Sequence, residues 1–345
     1  MNKKLIALAV AGACVAPAAM AQTANPVTLY GLAYITLESV EAKGGATPVP
    51  RRNRVTDQSS RIGIRGTEDL GGGLKAFFQM ETGFAVDAVQ STYATRNSAV
   101  GLQGGWGSIL AGRWDTPMKQ VIGPTDPFAD NQLGDLTAAT LRQGGFDLRP
   151  DNNIQYWSPV VSGFALKGMY VANEGKTATG LNPSMYGGSL TWTGGPVYVA
   201  YAYEKHKNFV STTATANVDE EGNTVGATFQ LGPLKLGANY GEYKRTGTNK
   251  QKSYLVSGEW RLGLHSLIAT YQDSKDGGTS GSAQPRCEVP SVGYKYYYSA
   301  RTFLIASYTR VNNKVGNLCN FGQAALTITG DQDPQGVSLG LRSAF

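Results

Sequence analysis

Few residues in this 345-residue chain are placed to do covalent chemistry. There are two histidines: His206 stands between Lys205 and Lys207 at a strand-to-loop edge, and His265 sits beside a short turn. No Gly-x-Ser-x-Gly nucleophile turn, no Cys/His group at metal-ligand spacing and no phosphate-cradling Gly loop accompanies them. No catalytic residue, metal or cofactor is therefore expected, and the chain is not read as an enzyme. The acidic run Asp219-Glu220-Glu221 and the pair Asp331 and Asp333 could hold a divalent cation, but solvated loop charge is the stronger reading. Of the three cysteines, Cys14 lies in the N-terminal apolar segment, so Cys287 and Cys319 remain, as one disulfide or as two free thiols. The segment from about 116 to 151 carries Asp126, Asp130, Asp135 and Asp147 with Pro117, Pro124 and Pro127, and it lacks strand alternation. A structureless stretch this long is uncommon in a compact domain and points to function.

The elements that must position these residues follow from the rest of the chain. Lys3 and Lys4 precede an apolar run from Leu5 to Val15 and then Ala19-Met20-Ala21, the pattern of a secretory signal peptide cleaved after residue 21. The competing possibility, a lipoprotein acylated at Cys14, is disfavoured by Ala at residue 11 and by the better cleavage site that follows. The exported chain, 22–345, is then a single domain. It is weakly basic, and its Lys and Arg are scattered singly rather than gathered on one element, which argues against a nucleic-acid partner. After the leader there is no run of 18 apolar residues, so no transmembrane helix can be drawn. With 44 Gly, 18 Tyr and only 16% charged residues, the composition suits strands, tight turns and membrane interfaces.

Period-two alternation recurs in segments of about ten residues, the length a tilted strand needs to cross a bilayer. Tyr254, Val256, Gly258, Trp260 and Leu262 alternate with Ser253, Leu255, Ser257, Glu259 and Arg261. Leu234, Leu236, Ala238 and Tyr240 oppose Lys235, Gly237, Asn239 and Gly241, and Val292, Tyr294, Tyr296 and Tyr298 oppose Ser291, Gly293, Lys295 and Tyr297. A soluble sandwich also alternates, but aromatic residues here gather near strand ends, as in the girdles of a membrane barrel: Tyr30, Tyr34, Trp157, Tyr170, Tyr186, Trp192, Tyr203, Tyr240, Tyr243, Tyr271 and Tyr308. Seven short turns, such as 71–73, 105–107 and 194–196, alternate with eight long polar loops near 39–58, 86–95, 116–151, 173–184, 206–222, 245–251, 274–290 and 312–335. That predicts an all-β fold: a transmembrane antiparallel up-and-down barrel of sixteen strands, wide enough to hold an aqueous channel.

The stretch Ser59-Ser60-Arg61-Ile62-Gly63-Ile64-Arg65-Gly66-Thr67-Glu68-Asp69-Leu70-Gly71-Gly72-Gly73-Leu74-Lys75-Ala76 resembles the Gram-negative general porins, in particular their anion-preferring β-proteobacterial branch. So do Arg96-Asn97-Ser98-Ala99-Val100-Gly101-Leu102, Gly112-Arg113, Asn152-Asn153-Ile154-Gln155-Tyr156 and the terminal Gly340-Leu341-Arg342-Ser343-Ala344-Phe345. The resemblance implies a homotrimeric outer-membrane channel in which the third long loop, 116–151, folds into the pore. Small anionic or neutral hydrophilic solutes would diffuse passively through it. A channel specific for one organic anion is the alternative. Its terminal Phe345 would be read by the barrel-assembly machinery, and its outer face would meet lipopolysaccharide and lipid. Carried over position by position, Arg61, Arg96 and Arg149 would line the constriction, with Arg113 and Arg65 as weaker candidates, against Glu81 on the third strand and Asp126 on the loop. Ala33, Ala99 and Gly101 are expected on outward faces of the trimer flank. Cys287 and Cys319, in the seventh and eighth long loops on one rim, are expected to pair.

Overall fold

The computed structural model describes residues 27–88, 93–128, 130, 132–135, 145–172, 182–209, 218–275, 286–314, 319–322 and 324–345. The expected leader, 1–21, lies outside them. Their strands are β1 (Thr28–Gly44), β2 (Val49–Asp57), β3 (Arg61–Gly71), β4 (Leu74–Gly83), β5 (Ser98–Gly104) and β6 (Gly107–Arg113). After the 116–151 segment come β7 (Asn153–Trp157), β8 (Phe164–Ala172), β9 (Ser184–Gly194), β10 (Val197–Lys207), β11 (Asp219–Leu231) and β12 (Leu234–Arg245). The last are β13 (Gln251–Leu262), β14 (His265–Lys275), β15 (Arg286–Tyr297), β16 (Thr302–Arg310), β17 (Asn312–Lys314) and β18 (Gln332–Ala344).

Apart from two broken strands, each segment pairs antiparallel with its neighbours in sequence, and β18 returns to β1, from Leu32 opposite Ala344 to Gly44 opposite Gln332. Closure removes every open sheet edge, which a bilayer demands because it offers no water to unpaired backbone groups. The seam is completed by reciprocal backbone bonds between Gly31 and Phe345, at 3.1 and 3.0 Å. A Cβ at Gly31 would lie 2.3 Å from the Phe345 ring, so a larger residue there would push that ring aside.

Two barrel strands are broken. Segments β2 and β3 share β1 as partner, β2 against its outer half and β3 against Thr28–Leu32. Between them Ser59 turns at a φ of 58°. Likewise β16 and β17 both pair with β15, interrupted at Val311. Counting each broken strand once, the barrel has sixteen strands, as the turn pattern predicts.

Outward side chains follow the expected phase. Val256, Trp260 and Leu262 are about half exposed, as are Val337, Leu339 and Leu341, forming the face that suits lipid. Near the short-turn rim Trp106 stacks on Tyr156 at 6.4 Å and Phe164 tilts onto Trp192 at 6.3 Å.

Some expectations need correction. The loop placed at 39–58 shrinks to 45–48, because β1 runs to Gly44 and β2 begins at Val49. Polar residues there extend the ladder beyond the lipid, and charge pairs hold the extension: Arg51 reaches Glu41 at 2.8 Å, and at another such extension Arg286 reaches Asp273 at 2.9 Å. Cys287 accordingly sits within β15 rather than in a loop, and a disulfide joins it to Cys319 across 32 residues. Tyr34 and Tyr243, expected in girdles, point inward and are buried. Ala99 and Gly101 also face the lumen, since the exposed Val100 and Leu102 occupy the outward phase of β5; a Cβ on Gly101 would collide with the Phe77 ring.

Candidate pore constriction

The described residues of the 116–151 segment enter the lumen and dock on part of the inner wall. Thr116 caps a short helix, α1 (Pro117–Ile122), by accepting the Lys119 amide at 3.3 Å, with Pro117 at a position that needs no donor. Its side chains Met118, Val121 and Ile122 bury against Ala200, Ala202, Tyr243 and Leu255 of β10, β12 and β13. Beyond it Phe128 is fully buried among Leu32, Tyr34, Ile268 and Ile305, and Leu133 packs with Val40 of β1. The chain returns through Phe146, which stacks on Tyr243 at 4.9 Å.

Polar wall residues fix the loop backbone. Lys235 donates to the Pro124 carbonyl at 2.8 Å, Lys295 to that of Pro127 at 2.8 Å, and Ser257 to that of Thr125 at 2.7 Å. Gln272 donates to the Gly134 carbonyl at 3.0 Å. Lys167 reaches the Gln120 side-chain oxygen and lies over the Trp157 ring at 4.4 Å.

The loop therefore covers the wall from β8 round to β1, and Arg61 at the start of β3 and Arg96 just before β5 stand on the part it leaves bare. Arg61, at the start of β3, donates to Asp130 at 2.8 Å, and Arg342 of β18 approaches the other oxygen of Asp130 at 3.7 Å. Arg96 donates to Glu81 of β4 at 2.7 Å, and Tyr30 donates to the second oxygen of that carboxylate at 3.0 Å. Gly63 makes this possible, since a Cβ there would stand 2.5 Å from the Tyr30 ring and hydroxyl. Arg149 donates to Asn97 at 2.6 Å and to Asp115 at 3.2 Å. Burial and the nearby guanidinia of Arg149 and Arg61 lower the Arg96 pKa while Glu81 opposes them, and the group stays protonated. Burial alone would raise Asp115, but Arg149, Lys119 and Asn97 together hold its carboxyl below the ordinary range.

Arg61 and Arg149 thus both lie near Arg96. Arg65 stands over the Tyr30 ring at 5.1 Å. Arg113 lies nearer the long-loop rim, where it meets the exposed Asp151 at 2.7 Å. Asp126 accepts the Phe128 amide at 2.8 Å and shapes the loop tip, and Asp130 is the loop acid that meets Arg61 and Arg342. Sequence reasoning also missed Arg342, Lys235 and Lys295. Their signal was present, since each is a cation in the luminal phase of its strand. A cavity of about 290 Å³ under the loop tip is lined by all three, with Asp126, Asp130 and Glu259.

The geometry agrees with comparisons to known proteins. A family model described as Gram-negative porin matches residues 7–316. Outer membrane porin protein 32 of Delftia acidovorans is 30% identical over 361 residues, covering 100% of both chains. The structure of an anion-selective porin from Comamonas acidovorans superposes with a TM-score of 0.81 at 26% identity, over 93% of this chain and 100% of that one. OmpT of Vibrio cholerae, in a trimer form, shares the fold at a TM-score of 0.70 and 17% identity, over 93% and 100%.

Proposed function

Because the chain belongs to the Gram-negative porin family, we propose that its pore prefers anions and that Arg61, Arg96 and Arg149 set that preference. The protein is an outer-membrane channel for passive diffusion of small hydrophilic solutes, and not an enzyme. One observation carries the anion reading: the cations at the narrows outnumber the carboxylates that could cancel them. Arg61 and Arg342 share Asp130, and Arg149 and Lys119 share Asp115. Lys167 and Lys235 donate to neutral oxygens rather than to a carboxylate. Glu81, Asp147, Asp126 and Glu259 offset part of this field. Guanidinium in a low-dielectric wall attracts anions and orients dipolar solutes at any relevant pH. The relative from Comamonas named as anion-selective supports the same direction.

The test is the zero-current potential of purified protein in a planar bilayer under a potassium chloride gradient. Chloride preference is expected, and a potential of the sign that marks potassium preference would reject the reading.

The same family reading extends to assembly and export. The chain forms a homotrimer, meets lipopolysaccharide on its outer face, presents Phe345 to the barrel-assembly machinery and loses residues 1–21 on export. The intact mass of the outer-membrane protein reports the cleavage. An apparent size on a gel about threefold larger before boiling than after is expected of a trimer, by the same closure into symmetric oligomers seen widely. Light scattering that gives a monomer in mild detergent would refute it.

A further inference from the structure

Two features that conduction does not use, His206 and the acidic run 219–221, meet at the long-loop end of β10 and β11. We propose that Glu204, His206 and Glu220 form a proton-operated latch: a doubly protonated His206 seats the returning limb of the inward loop, and loss of one proton releases that limb.

The strand register splits the acidic run. Asp219 and Glu221 face outward towards Lys205, at 4.0 and 3.7 Å, whereas Glu220 turns into the lumen opposite His206. Lys205 and Lys207, outward on either side of the histidine, place this end of β10 beyond the lipid. His206, Glu204 and Glu220 are all buried. The ring Nε2 lies 2.8 Å from Glu204 Oε1, and Nδ1 lies 3.1 Å from Glu220 Oε2. A carboxylate has no proton to give at neutral pH, so the ring donates from both nitrogens and is an imidazolium.

Arg245 of β12 supports Glu220 at 3.5 Å. Glu204 has His206 as its ion-pair partner, and its other oxygen is buried without a hydrogen bond among the described residues. Met185 of β9, Phe209 and the buried phenol of Tyr243 bring no cation to it. In the loop, Asp147 is already paired with Lys119. Phe146 beside it tilts onto the His206 ring at 4.7 Å, and a Cβ on Gly145 would stand 3.3 Å from Glu220. A proton lost from the ring therefore leaves a buried carboxylate uncompensated against the loop. Burial would lower the His206 pKa, but the hydrogen bonds to Glu204 and Glu220 and their charges raise it. The latch is thus complete below the ordinary histidine value, about 6.5, and is lost as pH rises through the higher folded value.

The inference rests on the channel reading, so its first measurement needs no current. The chain has two histidines, so nitrogen NMR of histidine-labelled protein in detergent shows two rings. The ring that vanishes in His206→Gln should carry both protons at about pH 7 and lose one only at alkaline pH. A singly protonated His206 there would overturn the proposal whether or not the protein conducts. In planar bilayers, brief closures should be few at about pH 6 and rise by up to about tenfold per pH unit above the folded pKa, as release of one proton requires. Glu204→Gln combined with Glu220→Gln removes the demand for the proton and should keep the current quiet at about pH 9, whereas His206→Gln should be noisy at both pH values. A wild-type current equally quiet at both, or an alkaline response that persists in the double glutamine variant, would rule the latch out. A protein that does not conduct at about pH 6 would instead be a failure of the channel reading, with the latch still decided by the NMR titration.

Discussion

At the scale of single residues, the arginine cluster is held by shared acids, so removing an acid and removing an arginine should have opposite signs. Asp115→Asn deletes a negative charge beside Arg149 and Lys119 and should shift the zero-current potential further towards chloride, whereas Arg149→Ser should shift it towards potassium. The same sign from both variants would mean that loop movement, not fixed charge, controls the reading. Because the Asp115 pKa is lowered, the stability it contributes is present above the ordinary carboxylate pKa, about 4, and is lost only as pH falls through its lower folded value. Bringing the pH from 7 to about 5 should therefore leave this pair intact. Cations such as Lys235, Lys295 and Arg342 were legible in principle, since period two fixes which face a strand residue takes. The choice between Asp126 and Asp130 was not, because a loop without periodicity gives no phase, and only tertiary docking decides which acid meets Arg61.

At the scale of elements, the inward loop is a short helix and an irregular tail held on a curved wall by buried apolar side chains and by cations on carbonyls. Hydrogen bonds to charged donors contribute about 1.5–3 kcal/mol each, against about 1 for neutral ones. Lys235→Met and Lys295→Met each remove one such clamp while keeping the aliphatic stem. The double variant should give a noisier single-channel current, since the loop tip gains alternative positions, and each single variant a smaller effect. A current as quiet as that of the wild type in the double variant would show that Phe128 and Leu133 alone fix the loop. Strands and short turns were readable because lipid outside and water inside impose an alternation that any sequence must show. Loop lengths were overestimated for a related reason: beyond the lipid the outward face turns polar, alternation in hydropathy fades, and the ladder continues on cross-strand pairs such as Arg51 with Glu41. The aromatic residues misplaced in girdles show a further limit. Tyr34 and Tyr243 carry the same residue type as the interfacial tyrosines, yet their strand phase turns them into the lumen, where the docked loop covers them.

At the scale of the whole molecule, the proposed selectivity rests on a loop docked on one part of the inner wall that leaves Arg61 and Arg96 on the part it does not cover, with the loop's Asp130 against Arg61. The water in the narrows is continuous with bulk, and its ions screen these charges over about 8 Å at physiological salt and about 3 Å at 1 M. Chloride preference should consequently be strongest in dilute solution and fade as salt approaches about 1 M. Substituting Arg61 or Arg96 by Ser removes a fixed charge without filling the pore, and each change should move the zero-current potential towards potassium. These two arginines have separate principal partners, Asp130 and Glu81, so their effects should add, with a shortfall set by the mutual repulsion that already lowers Arg96. Each substitution also releases its acid into the lumen, which strengthens the shift in the same direction. If the double variant, measured with about 0.1 M salt on the dilute side where screening is weak, kept the wild-type potential, the positive field would have to come from the lysines and Arg342 beneath the loop tip instead.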